Sequence, residues 1–173
     1  MKLVIELWEK DIFPNSEITS NIRYALRRAA RAIVSNSKGQ IGLLHISKNG
    51  YYKLPGGGVD AGETVLQALA RELLEEMGCT ITTIKPFGLS IEYRDQFSVL
   101  QISYCYFAKA KGALQKPALT NEEEEKGAEQ VWVDFRTAVQ LVKKSVPTTY
   151  DGKFIQKRDL AFLLAAQKVL PKP

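Results

Sequence analysis

The chain has 173 residues, 45% of them hydrophobic and 25% charged, and a formal net charge of +5. That length and balance predict one globular domain with a real core, and exclude a disordered chain. No apolar run reaches the ~18 residues of a membrane span, MKLVIELWEKD carries acids where a signal peptide would not, and Cys79 and Cys105 form no close pair. The expectation is therefore a reducing, cytoplasmic location with no membrane partner. The positive charge favours an anionic partner, a phosphorylated small molecule before nucleic acid.

Residues 2–8, KLVIELW, read as a strand that Pro14, Asn15 and Ser16 end. In 22–34 the arginines Arg23, Arg27, Arg28 and Arg31 recur at helical spacing, yet AIV running into SNSKGQ reads as a strand end. A strand over 29–34 is predicted; these arginines are candidate phosphate contacts, Arg28 foremost, or else solvated surface charges. Residues 41–47 form an apolar strand. Asn49-Gly50 signals a tight hairpin, because the central positions of such a turn need positive φ. The returning strand covers 51–54, and Pro55 ends it before Gly56-Gly57-Gly58.

Thr64, with Gln67 three residues on, starts a helix with a capping box. Leu66, Leu69, Ala70, Leu73 and Met77 form its predicted apolar stripe, and Gly78 its stop. Strands are predicted over 79–84 and 87–93. The stretch 97–109, apolar on both alternating faces, predicts a central strand covered on both sides. Residues 112–129 read as a polar loop holding Glu122 to Glu125, and 130–133 as a short strand. Asp134 or Thr137 caps a helix to about residue 144, 147–152 is a linker, and 154–169 a final amphipathic helix.

The chemistry is concentrated in Gly57 to Cys79. Glu72, Glu75 and Glu76 fall within an arc of roughly 100° on one helix face, flanking the apolar stripe. Three like charges so placed call for a compensating partner, and a divalent ion with oxygen ligands fits; the other reading of the spacing alone is an acidic surface helix with no site. Arg71 pairs with the acids, and the glycine turn lets a backbone carbonyl reach the same ion. Tyr51, Tyr52, Tyr93 and Phe97 are candidates to stack a base, Tyr52 and Phe97 foremost. Lys53, just before the glycines, is placed to touch a phosphate. His45, the sole histidine, excludes a multi-histidine metal site.

Gly57, Glu63 and the run Arg71-Glu72-Leu73-Leu74-Glu75-Glu76-Met77-Gly78-Cys79 stand at fixed spacings, preceded by Leu54-Pro55-Gly56. This resembles the Nudix box of the Nudix hydrolase (MutT-like) superfamily, with Cys79 departing from the bulky apolar residue that usually closes it. The resemblance implies an α/β fold, an α/β/α sandwich with a mixed central sheet. On that basis 1–173 is expected to be a single Nudix hydrolase domain, its core over roughly 22–145. The N-terminal strand segment 1–21 and the C-terminal helix 154–169 are additions that close the core or support a homodimer.

The resemblance further implies hydrolysis of a phosphoanhydride in a nucleoside diphosphate linked to another group, by water attack at phosphorus. Glu72, Glu75, Glu76 and the Gly57 carbonyl would hold Mg²⁺ or Mn²⁺, with Glu123 from the later acidic run as a further ligand. Glu63 and Arg71 would brace the acids. The general base would be Glu72 or a glutamate of 122–125. Subfamilies that cut ADP-ribose or diadenosine polyphosphates carry a proline or tyrosine shortly after the box. Arg94 to Phe97 stand there, which favours a nucleoside triphosphate-type substrate. The alternative is a silent Nudix domain that binds a nucleotide or RNA as a regulator.

Overall fold

The structure is a computed structural model that describes residues 1–16 and 21–170. Seven strands form one mixed sheet: β1 (Lys2–Leu7), β2 (Ala25–Ser35), β3 (Ile41–Ile46), β4 (Tyr51–Lys53), β5 (Thr80–Arg94), β6 (Val99–Lys111) and β7 (Ala128–Val133). Their order is β1-β5-β6-β2-β3-β4, with β7 on the other edge of β3. β1 runs parallel to β5 and β2 parallel to β6, while β5–β6, β3–β4 and β3–β7 are antiparallel. The helices are α1 (Glu9–Ile12), α2 (Val65–Met77), α3 (Asn121–Glu125), α4 (Phe135–Lys144) and α5 (Tyr150–Gln167). None of the described helices is long and apolar enough to cross a membrane.

A core lies on each face of the sheet, which makes the fold an α/β/α sandwich. On one face Ala68, Leu69, Leu73 and Met77 of α2 pack against Ala30, Ala32, Val34, Leu44 and Tyr106. On the other, Ala138, Val139 and Val142 of α4 and Phe162, Leu163 and Ala166 of α5 cover Ile33, Leu43 and Cys105. β6 alternates between the two cores, as its doubly apolar pattern predicts. Burying Leu69, Leu73 and Met77 contributes about 2 kcal/mol each, and it locks the orientation of α2.

Several local expectations need correction. β2 begins at Ala25, four residues before the predicted start, because β6 pairs with it from Val99 onward. The β3–β4 loop is four residues long, since Ile46 pairs with Tyr51, and only Gly50 has positive φ there. The two strands expected over 79–93 are one bent strand, its register shifting around Pro86, whose ring offers no N–H. The polar loop contains α3, capped by Thr120. Asp134 caps α4, accepting from the Thr137 amide at 2.9 Å. The linker ends early because Thr149 caps α5. Of the segment 1–21, residues 17–20 lie outside the described residues.

The stripe of α2 is also shifted. Leu66 and Ala70 are exposed, and the inward face is Ala68, Leu69, Leu73, Glu76 and Met77. One carboxylate, Glu76, lies inside the buried face instead of at its rim.

Candidate active site

Between β2 and α2 the chain 55–59 runs alongside the free edge of β2. Ala32 donates to the Pro55 carbonyl at 3.0 Å, Ala30 to Gly57 at 2.9 Å, and Val59 to Arg28 at 3.0 Å. Asp159 of α5 holds the entry, accepting from the Leu54 amide at 2.8 Å. Only glycine fits at 56: its φ is +126°, and a Cβ there would collide with the Ala30 carbonyl. Gly57 is required for a different reason, because the Glu72 carboxylate occupies the place a Cβ would take.

The capping box that starts α2 is present, with the Gln67 amide donating to the Thr64 hydroxyl and the Thr64 amide to the Gln67 side chain. Gly78 ends the helix in the left-handed conformation, φ 57°. Within those limits the helix aims Glu72 and Glu76 at the glycine loop. α3 brings Glu123 to meet them: ligand oxygens of Glu72, Glu76 and Glu123 all lie within 4.8 Å of one another. Glu75 lines the same cavity but stands outside that group. The cavity is about 520 Å³.

Each acid is held differently. Glu76 is fully buried, and burial pushes its carboxyl up to about 7 even though Lys53 lies 2.5 Å away and the Gly56 amide donates to it at 2.6 Å. Glu123 is half-buried; the Thr120 amide and hydroxyl, each at 2.8 Å, outweigh its desolvation and hold it below the usual carboxylate range. Glu63 is lowered by its hydrogen bonds from Arg71.

Arg71 organises the loop and the acids together. It grips Glu63 with a fork at 3.0 and 3.1 Å, Glu72 at 2.8 Å, Glu75 at 3.2 Å and the Gly58 carbonyl at 3.1 Å. These bonds raise its already high pKa further, Glu63 contributing most.

The donor set is all carboxylate, partly buried and convergent, which suits a hard divalent cation. The Gly57 carbonyl already accepts one hydrogen bond, so a single lone pair is left for an ion. Of the residues expected to touch substrate, Lys53 and Phe97 line the cavity. Arg28 and Tyr52 do not. Arg28 projects from the opposite side of β2 to Arg27, and Tyr52 stacks on His45 with centroids 4.3 Å apart. Tyr93 stacks on Trp8 instead, while Tyr51 does line the cavity.

Arg27 and Arg31, two of the four arginines expected to approach phosphates, line the cavity too, as do Arg94 and Gln101, whose role the sequence reading missed. For the arginines of β2, two-residue alternation was the available signal, since Arg27 and Arg31 share one face of a strand and Arg28 cannot.

The NUDIX domain family model matches residues 25–156. A 41-residue stretch is 49% identical to the NAD-capped RNA hydrolase NudC of Vibrio cholerae, covering 24% of this chain and 15% of that protein. The chain thus spans a small part of the length of that curated relative. Among solved structures it resembles the E. coli ORF135 protein, with TM-score 0.57 and 21% identity over 87% of this chain and 96% of that one. The MutT protein of Bacillus halodurans gives TM-score 0.53 and 24% identity over 76% and 80%. The MutT NUDIX hydrolase of Burkholderia pseudomallei gives 0.53 and 19% over 77% and 97%.

Proposed function

This chain belongs to the Nudix domain family, and from that premise we propose that it is a metal-dependent pyrophosphohydrolase, all of 1–173 acting as one catalytic unit. The substrate is a nucleotide derivative, and a nucleoside triphosphate-type molecule is our choice. The observation that carries this reading is the convergence of Glu72, Glu76 and Glu123 within 4.8 Å at a cavity that also holds Lys53. Such a cluster has little reason to form between two purely structural helices, because crowding three carboxylates is destabilising.

Glu72, Glu76 and Glu123 would hold Mg²⁺ or Mn²⁺, which neutralises anhydride oxygens and sharpens the nucleophilicity of water. Arg71 fixes Glu72 and Glu75 in place and ties both to the loop through Gly58 and Glu63. Lys53 places a second positive charge against Glu76, where a phosphate oxygen can compete for it. Water attacking phosphorus must lose a proton to a nearby carboxylate. We assign that proton to Glu75, which faces the cavity outside the cluster and is therefore not tied up as a ligand.

The test is a panel of nucleoside triphosphates, nucleotide sugars and NAD⁺ with Mg²⁺, Mn²⁺ or EDTA; NAD⁺ is included because the NudC relative acts on NAD-capped RNA. Turnover with metal and none with EDTA is expected. Glu76→Gln should lose metal affinity, while Glu75→Gln keeps it and loses kcat. A panel with no turnover rejects the enzyme, and a Glu75→Gln variant that loses metal rejects the division of roles.

A further inference from the structure

The cavity is lined by acids on α2 and α3, which Lys53, Arg71 and Lys126 pair, and by a second group of arginines, of which Arg94 is paired by Asp151. Glu72, Glu75, Glu76, Glu122 and Glu123 form one wall. Arg27, Arg31 and Arg94 form the other. Behind the basic wall lies a buried polar network on the α5 side of the sheet. Its centre is Glu92, fully buried and held ionised by Arg158 and Arg94 against the cost of desolvation. Arg94 also binds Asp151 at 2.6 Å, and Arg158 binds Asp159 at 2.7 Å.

Those pairs use every carboxylate of the network. Arg94 and Arg158 take Glu92, Asp151 and Asp159, and the other two arginines receive none. Among the described residues Arg31 forms no ion pair; its only hydrogen bond goes to the Ala30 carbonyl at 3.1 Å, and its Nε has no partner. Yet it is only 4% exposed. Burial and the neighbouring Arg158 pull its pKa down to about 10. Among the described residues the Arg27 side chain bonds only the Gln101 side-chain oxygen, and Gln101 is fixed in turn by Glu92 and Ser103.

A buried guanidinium without a counter-charge is costly and is retained where a ligand supplies that charge. The acidic wall cannot supply it once a cation sits there. Resting on the hydrolase reading, we propose that Arg27 and Arg31 form an anion subsite that docks the terminal phosphate of a triphosphate substrate, a group that lies beyond the anhydride phosphates shared with a nucleotide sugar. The guanidinium fork matches the tetrahedral phosphate oxygens, which it can bind through two donors at once. Substrates with a third phosphate would thereby be selected over nucleotide sugars, which carry only the two phosphates of the anhydride. Inorganic phosphate shares the same chemistry.

Binding is measured in EDTA, with inorganic phosphate, ATP and UDP-glucose as probes, by thermal shift and titration calorimetry. At ten times Kd, phosphate should raise the wild-type Tm by about 3–5 °C. Arg27→Met and Arg31→Met should each weaken phosphate and ATP about tenfold or more and leave UDP-glucose unchanged, while the surface variant Lys143→Met alters nothing. Arg27 lies at the exposed end of β2, so its variant carries the test even if Arg31→Met fails to fold. Absent phosphate binding in wild type, or equal affinity in the variants, overturns the subsite. If the variants lose phosphate but not ATP, the site serves free phosphate and the substrate role is overturned. Phosphate binding that depends on both arginines in a protein that hydrolyses nothing sinks the hydrolase reading alone; hydrolysis with phosphate binding indifferent to them sinks the subsite alone.

Discussion

Gly57→Ala separates the geometry of the site from the stability of the fold. The backbone at 57 does not need a left-handed conformation, so alanine brings no φ strain there. Its Cβ would instead lie inside 3.0 Å of the Glu72 carboxylate, where ordinary contact begins at 3.4 Å. Glu72 must retreat by roughly 1 Å. Because the group displaced is the far end of a side chain, the cost to the fold stays below about 1 kcal/mol. Misplacing a catalytic group by that distance costs ~10²-fold in rate, or about 2.7 kcal/mol of barrier. Kinetics on the best substrate of the panel should therefore show kcat down about a hundredfold with Tm nearly unchanged. Calorimetric titration of Mn²⁺ should show weakened binding as well. A variant with wild-type kcat and metal affinity would refute the idea that Glu72 needs the space glycine leaves.

Other outcomes follow from the same geometry. Glu76 has its carboxyl pKa raised in the fold, so its stabilising contribution is complete below the ordinary glutamate range and is lost as pH rises through about 7. Urea unfolding in EDTA should show wild type losing about 3 kcal/mol relative to Glu76→Gln between pH 4.5 and 8, and a flat difference would show that burial does not govern this group. Arg71→Lys keeps the charge but not the fork to Glu63, and kcat should fall ~10–100-fold; an unaffected kcat would remove Arg71 as a positioning residue. Cys79 and Cys105 are both buried, and burial pushes their thiols up, Cys79 to about 11. A thiol reagent at neutral pH should label neither until the chain is unfolded, and rapid native labelling would contradict that burial.

Local signals in the chain specify much of this molecule. The capping box at Thr64, the stop at Gly78 and the apolar residues on both faces of β6 act through neighbours within a few positions, and each appears where the sequence puts it. Spacing along one helix also placed the acids on one face, and the box spacing pointed to the family. Asn49-Gly50 shows the limit of local reading, because the pairing of Ile46 with Tyr51 lengthened the loop beyond the tight turn.

Tertiary structure decided which acids meet and what faces them. Glu123 reaches Glu72 and Glu76 only because α3 packs back over the cavity, a contact across some fifty residues of chain. Arg28 was separated from Arg27 by the pairing of β2 with β6, which extends the strand and sends alternate residues to opposite faces. Arg31 is left without a carboxylate by the way α5 brings Arg158 and Asp159 under the sheet. The acidic helix is thus a property of the sequence, whereas its counterpart, the basic wall, comes from two strands far apart in the chain. Helical period and capping are read within a few residues, but the meeting of distant charges depends on the packing that pays for their burial.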